Sequence, residues 1–319
     1  MLAVAGDMLR WVRENPSSSF GIAAVLATLV YFFGVMPLFV RGTFDRGLAS
    51  TAEWAWQAWN PGTNQEHSRL VPFIFLGLLF YHRDKLRAAA GAGSNWGLLG
   101  IGLGIALFVL SVRCLQPRLA LTSLPFLIYG SAVFLWGRAV GRVILFPCAF
   151  LIFLVPLAVV EQATFRLQFV ITAIVGVLSN LAGIKIAAVG TTLTAMDGSF
   201  NFEIAEGCSG IRSLMAMTMI TAIYVHLTQD RLWKKGTILA FSIVFAIVGN
   251  AGRIFTVVIV AKLINPELAS GMYHDYSGYI FFPVALGVML AFSKLINIDW
   301  RREKLAEKVQ RREAVTYDY

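Results

Sequence analysis

The chain has 319 residues, of which 57% are hydrophobic and only 14% charged, and its mean hydropathy is +0.69. That balance excludes a soluble globular enzyme and fits a polytopic membrane protein. The formal charge of +9 comes without a basic run interleaved with aromatics in a polar domain, so it points to cytoplasmic loops and not to nucleic acid. The three cysteines, Cys114, Cys148 and Cys208, give neither a disulfide framework nor metal spacing. Cys114, at a helix end, and Cys148, inside an apolar run, read as packing residues.

Residues 1–18 read as a short cytoplasmic start. Phe20–Val40 is long enough to span, and no small-residue cleavage site follows it, so it is the first predicted transmembrane helix. In the polar segment 41–69, Leu48, Ala52, Trp56 and Trp59 share one helical face, which suits a helix lying flat on the membrane. Further spans are expected at Leu70–Tyr81, Trp96–Val112, Leu119–Trp136 and Val143–Val160. The glycines of the third would permit close helix packing. Residues 161–182 are apolar enough to cross, yet polar side chains recur from Glu161 to Asn180. If they crossed, the basic run Arg231-Leu232-Trp233-Lys234-Lys235 would fall outside, so an interfacial helix is expected there.

Residues 187–206 alternate, with Phe200, Phe202 and Ile204 on one face and Asn201 and Glu203 on the other. Asp197-Gly198 is a hairpin turn signal, so a small two-stranded hairpin outside the membrane is predicted. The last three spans are Cys208–Leu227, Gly236–Leu263 and Tyr276–Ile296. The second of these is expected to be interrupted at Gly249–Arg253. The overall expectation is an all-α polytopic protein of about eight transmembrane helices, with a small β-hairpin, an interfacial helix and both termini inside. A single membrane domain would cover 1–296, followed by a charged cytoplasmic tail, 297–319. Most of the 27 Lys and Arg fall on the predicted inner side, and all eight Trp fall in loops or at span ends.

This topology brings three chemically capable side chains to one membrane face. Cys208 lies where a polar segment turns into an apolar run, near the first free N–H groups of a helix that favour a thiolate. If the run from Cys208 is helical, Arg212 lies one turn on and adds positive charge, while Glu206 opposes it. Arg253 sits in the outer half of the next span. A membrane arginine costs roughly 2.5–3.5 kcal/mol on insertion scales, so it requires a partner or a wet cavity. Asn250 lies one turn before it. His274 lies at the outer end of the last span and suits a general acid–base role. Together they suit acyl transfer: a thiolate attacks a peptide carbonyl, Arg253 stabilises the oxyanion or the thiolate, and His274 protonates the leaving amine and then activates the acceptor.

The motif Glu206-Gly207-Cys208-Ser209-Gly210-Ile211-Arg212-Ser213-Leu214 resembles the cysteine motif of the exosortase/archaeosortase family of membrane transpeptidases. Asn250-Ala251-Gly252-Arg253-Ile254 resembles that family's arginine motif, and His274 with Gly278 and Phe281-Phe282 its histidine motif. His67-Ser68-Arg69-Leu70-Val71-Pro72 is similar to its early motif, with Ser68 where glycine is more usual. The resemblance covers about residues 60–295. It implies a Cys208–Arg253–His274 catalytic set, with Glu206, Arg212, Asn250 and His67 in support. It also implies substrates that are secreted proteins ending in a short motif, a transmembrane helix and a basic cluster. Such a protein would be passed to a cell-surface acceptor, a membrane lipid or one linked to exopolysaccharide, with the site facing outward from the cytoplasmic membrane. A hydrolytic protease using the same residues, and a transporter or polysaccharide-export component without peptidase activity, are the competing readings. No ligand cluster or phosphate-binding glycine loop appears, so no cofactor and no metal are expected.

Overall fold

The structure, a computed structural model, describes residues 16–40, 47–60, 63–156, 158–204 and 210–298. The chain divides into two compact units, Met1–Gln162 and Ala163–Tyr319.

In the first unit, α1 (Pro16–Leu29) ends in a π-helical turn, Val30–Val35. A two-stranded ribbon of β1 (Phe39–Val40) and β2 (Leu48–Ala49) leads into the short helix α2 (Thr51–Ala58). Ser50 starts α2 with a reciprocal capping box to Glu53. A 3₁₀ turn, Glu66–Leu70, runs into α3 (Val71–Tyr81) and then α4 (Arg83–Ala89). The helices α5 (Gly97–Arg113) and α6 (Pro117–Trp136) form a tight pair. A Cβ on Gly97 would lie 2.4 Å from the Gly130 carbonyl oxygen, so the expected glycine-mediated packing is present. Cys114 caps α5 and is exposed, so the packing role expected for it does not hold; Cys148 is buried.

The segment expected to form a fifth span is broken. Helix α7 (Arg138–Phe150) gives way to a 3₁₀ turn, Leu151–Leu154, and Val155 is extended ahead of Pro156. A residue before proline is pushed out of the helical region, which ends the run.

The second unit begins within α8 (Ala158–Leu181), a 24-residue helix that includes the stretch where an interfacial helix was expected. Its Gln162–Leu181 stretch is long and apolar enough to cross a membrane. The polar side chains that suggested a headgroup position point inward instead: Thr164, Gln168, Thr172 and Ser179 are all buried. Their spacing of four, four and seven residues is one helical face. A three-stranded antiparallel sheet follows, in the order β3 (Ile186–Val189), β4 (Thr192–Ala195), β5 (Asn201–Glu203), where a two-stranded hairpin was expected. The predicted alternation holds: Phe200 and Ile204 are buried, and Asn201 and Glu203 are exposed.

Three long helices complete the unit: α9 (Ile211–Thr228), α10 (Leu232–Leu263) and α11 (His274–Asn297). Helix α10 is continuous through Gly249–Arg253, contrary to the expected interruption. Its glycines serve packing, since a Cβ on Gly249 would stand 2.9 Å from that of Ala285. Two cores lie along α10. One joins α8, the sheet and the C-terminal half of α10 through Ile171, Leu193, Ile204, Ile254 and Val258. The other joins α9, the N-terminal half of α10 and α11 through Met217, Ile238, Ala246 and Met289. Lys262 of α10 pairs with Asp197 in the β4–β5 turn, holding that carboxyl well below its usual range with help from Ser199.

Among the described residues, five helices are long and apolar enough to cross a membrane, and Ser19–Val35 and Gly97–Arg113 are shorter apolar helices. The expected all-α membrane architecture with a small sheet is therefore present, with five candidate spans in place of the eight predicted.

Candidate active site

The site is built on α10 and the first turns of α11. Arg253 is half-buried in the C-terminal part of α10. Its Nε donates to Ser277 Oγ at 3.0 Å, and its Nη2 donates to the backbone carbonyl of His274 at 2.8 Å. Ser277 Oγ in turn donates to that same carbonyl at 3.0 Å. These contacts close a loop between one guanidinium, one hydroxyl and one carbonyl. They answer the need of an arginine in an apolar helix for partners that replace water.

Arg253 Nη2 also lies 3.4 Å from His274 Nε2, and Asp275 Oδ1 lies 3.2 Å from His274 Nδ1. A guanidinium has no acceptor and a carboxylate no donor, so a neutral imidazole in this arrangement would hold its proton on Nδ1, toward Asp275, and its lone pair on Nε2. The sequence placed His274 at the outer end of the last span; it is the first residue of α11, after a π-helical turn, Ala269–Tyr273.

A cleft of about 40 Å³ adjoins Arg253, lined by Ser213 and Met217 of α9, Gly249 and Asn250 of α10, and Phe281 and Phe282 of α11, among others. On this measure one water needs roughly 10–15 Å³, so the cleft accepts a few. A charged side chain beside a small cleft with room for water, within an apolar bundle, is where functional chemistry is expected.

Asn250 fixes the start of α9. Gly210, the N-cap of that helix, has φ +86°, and a Cβ there would stand 2.7 Å from Asn250 Cγ. The chain therefore enters α9 against the residue one turn before Arg253. Cys208 and Glu206 lie outside the described residues. The expected helical-turn link between Cys208 and Arg212 therefore also falls outside the described residues. Arg212 is exposed and does not line the cleft. His67 belongs to the first unit, on the Glu66–Leu70 turn. Sequence reasoning missed Ser277 and Ser213. A serine is common at helix starts, and only the fold shows what these two face.

A family model described as transmembrane exosortase matches residues 56–291. The chain belongs to the transmembrane exosortase family. The match covers α3 to α10, most of α11 and every residue of the arginine and histidine motifs. This exosortase is thus a multi-pass membrane protein of a transpeptidase family. No curated protein and no solved structure matches the chain.

Proposed function

We propose that this exosortase is a cysteine transpeptidase with Cys208 as nucleophile, Arg253 as stabiliser of the oxyanion or thiolate, and His274 as general acid–base. The observation that carries the proposal is the pairing of Arg253 with His274, through the histidine's carbonyl at 2.8 Å and its Nε2 at 3.4 Å. Gly210, held against Asn250, supports the place of the nucleophile: Cys208 is two residues away, a reach of at most about 7 Å of chain.

The Cys208 sulfur attacks the scissile carbonyl, and its proton goes to the His274 imidazole. The tetrahedral oxyanion is stabilised by the guanidinium. The C–N bond breaks, the leaving amine takes the proton from His274, and a thioester remains. His274 then removes a proton from the acceptor nucleophile, which displaces the thiolate.

The substrates of this reading are secreted proteins with a C-terminal tail of short motif, transmembrane helix and basic cluster. The acceptor is a membrane lipid or an exopolysaccharide-linked group. The membrane is the cytoplasmic one, with the site outward. Charge supports that orientation: Arg231, Lys234, Lys235 and Lys294 lie at the end of α9–α11 opposite the sheet.

The test is expression with a tailed substrate. Cys208→Ala, Arg253→Ala and His274→Ala should each leave the full-length tailed protein in the membrane. Processing by Cys208→Ala at the native rate would overturn the proposal. The C-terminus of the released product distinguishes transfer, which leaves a modified end, from hydrolysis.

A further inference from the structure

Both outer strands of the β3–β4–β5 sheet are edges, and the fold treats them differently. In an antiparallel ladder, successive residues turn their main-chain groups alternately toward the partner strand and away from it. On β3, the Met196 N–H donates to the Lys185 carbonyl at 3.0 Å, so Ile186 turns its own N–H and carbonyl away from β4. Asn180 of α8 takes both. Its Oδ1 accepts from the Ile186 N–H at 3.0 Å, and its Nδ2 donates to the Ile186 carbonyl at 3.1 Å. That side-chain amide stands where a neighbouring strand would. Ala188, the next residue to face outward, lies against α8, where a Cβ on Gly176 would stand 2.9 Å from its own. An edge covered in this way is closed to further pairing.

The outer edge of β5 has no such cover. The Ala195 N–H donates to the Phe200 carbonyl at 3.0 Å, and the Ile204 N–H to the Thr191 carbonyl at 2.8 Å. Phe200, Phe202 and Ile204 therefore face β4, and Asn201 and Glu203 direct their N–H and carbonyl groups outward. The contact from Thr194 Oγ1 to Asn201 Oδ1, at 3.1 Å, agrees, since side chains come closest in pairs that exchange no main-chain bonds. Asn201 and Glu203 are both exposed, and no described residue pairs with these four main-chain groups. The position of this edge matters. Through Phe200 and Ile204 the strand shares a core with Ala251 and Ile254, which flank Arg253 on α10. Five residues of chain lead from Glu203 to Cys208, a reach of at most about 18 Å.

We infer that the free edge of β5 binds the substrate: an extended segment of the tailed protein, next to its scissile peptide bond, adds to the sheet as a fourth strand. Its main chain exchanges hydrogen bonds with the N–H and carbonyl groups of Asn201 and Glu203, about 4.7–4.9 Å away from β5 in strand spacing. The occupant is extended polypeptide because the groups on offer are main-chain donors and acceptors, two residues apart on one edge. Contacts of this kind hold a chain in register whatever its side chains, and leave the choice of recognition motif to other surfaces. The inference rests on the reading of Cys208 as nucleophile, since that residue gives the edge its purpose.

Proline tests the edge directly, because at Asn201 or Glu203 it removes an N–H that faces away from β4 and spares the β4–β5 ladder. The full-length protein is expressed with the same tailed substrate that tests the transpeptidase. Glu203→Pro should process it at least about threefold more slowly than Glu203→Ala, the loss expected for one hydrogen bond. Asn201→Pro combined with Glu203→Pro should be at least about tenfold slower than the matching double alanine variant. Ala188→Pro, on the covered edge, should process at the native rate. A second measurement needs no turnover. In Cys208→Ala protein, Glu203→p-benzoylphenylalanine should crosslink to the tailed protein on irradiation, and Ala188→p-benzoylphenylalanine should not. Equal rates for the proline and alanine variants, equal slowing by Ala188→Pro, or a crosslink to a second copy of this chain in place of the tailed protein would each overturn the inference. If the proline variants fail to fold, the crosslink decides the matter alone. Processing by Cys208→Ala without these substitutions is the separate sign that the transpeptidase reading has failed. An inert Cys208→Ala with an indifferent β5 edge leaves that reading standing and removes only this one.

Discussion

Arg253 and His274 meet twice: Nη2 of the arginine donates to the histidine's carbonyl at 2.8 Å and stands 3.4 Å from its Nε2. The carbonyl contact anchors the guanidinium to the backbone at the start of α11. The arginine therefore keeps its place beside the imidazole whichever way the ring turns.

Ser277 completes that anchor and gives the first prediction. It is 2% exposed and accepts from Arg253 Nε at 3.0 Å. Hydrogen bonds to charged groups contribute about 1.5–3 kcal/mol, so Ser277→Ala should slow turnover by about tenfold to a hundredfold. The effect should fall on kcat more than on KM, because the arginine is assigned to the oxyanion and not to substrate docking. An unchanged kcat in purified Ser277→Ala protein would show that Arg253 does not depend on this contact.

Gly210 is the second test. Its φ of +86° is in the left-handed region, which costs a non-glycine residue about 1–2 kcal/mol. A Cβ there would also press on Asn250 at 2.7 Å. Gly210→Ala should therefore displace the entry to α9 and abolish substrate processing. Pairing it with Asn250→Ala, which removes the obstacle, should restore part of the activity. No gain in the double variant would mean that the backbone strain alone is responsible.

The arginine and the histidine were legible because each is costly in an apolar chain, and their positions on consecutive helices follow from counting. The fate of the polar residues in 161–182 was not. Thr164, Gln168, Thr172 and Ser179 form a stripe in sequence, but a stripe facing headgroups and one facing a protein interior have the same period. Only the sheet and α10, packed against that face, decide between them. Gly249 and Gly252 misled for a related reason. In isolation glycine weakens a helix, whereas here it admits Ala285 and Phe281 of α11. Ser277 carried no signal, because its importance comes from a residue 24 positions away.

Gln168 ties α8 to the segment that leads toward Cys208. Its Nε2 donates to the Ile204 carbonyl at 2.9 Å, and both residues are buried. Gln168→Leu leaves that carbonyl unsatisfied, at a cost of about 1–3 kcal/mol. The expected outcome is faster hydrogen exchange across β5 and reduced processing, with α9–α11 still protected. Native exchange rates at Phe202–Ile204 would show that the carbonyl is held by other means.

The pH response of the first unit follows from His67 and His82. Burial lowers the pKa of both below the ordinary 6.5; Lys85 adds to the effect at His82, and Glu66 opposes it at His67. A histidine with a depressed native pKa binds fewer protons folded than unfolded, so stability rises with pH in this range. The contribution is complete above about pH 6.5, the unfolded value, and is lost as pH falls from there toward the lower native values. Asp197 acts in a lower window: the contribution of its depressed carboxyl is complete above about its ordinary 3.8 and is lost as pH falls from there toward the lower native value. Thermal unfolding of the detergent-solubilised protein should therefore show a falling midpoint between pH 7.5 and 5, before any carboxylate effect. The double variant His67→Gln, His82→Gln should flatten that dependence. Lys262→Met should leave the slope in this window unchanged, because its partner remains ionised throughout. A double variant with the native slope would assign the acid sensitivity to groups outside this unit.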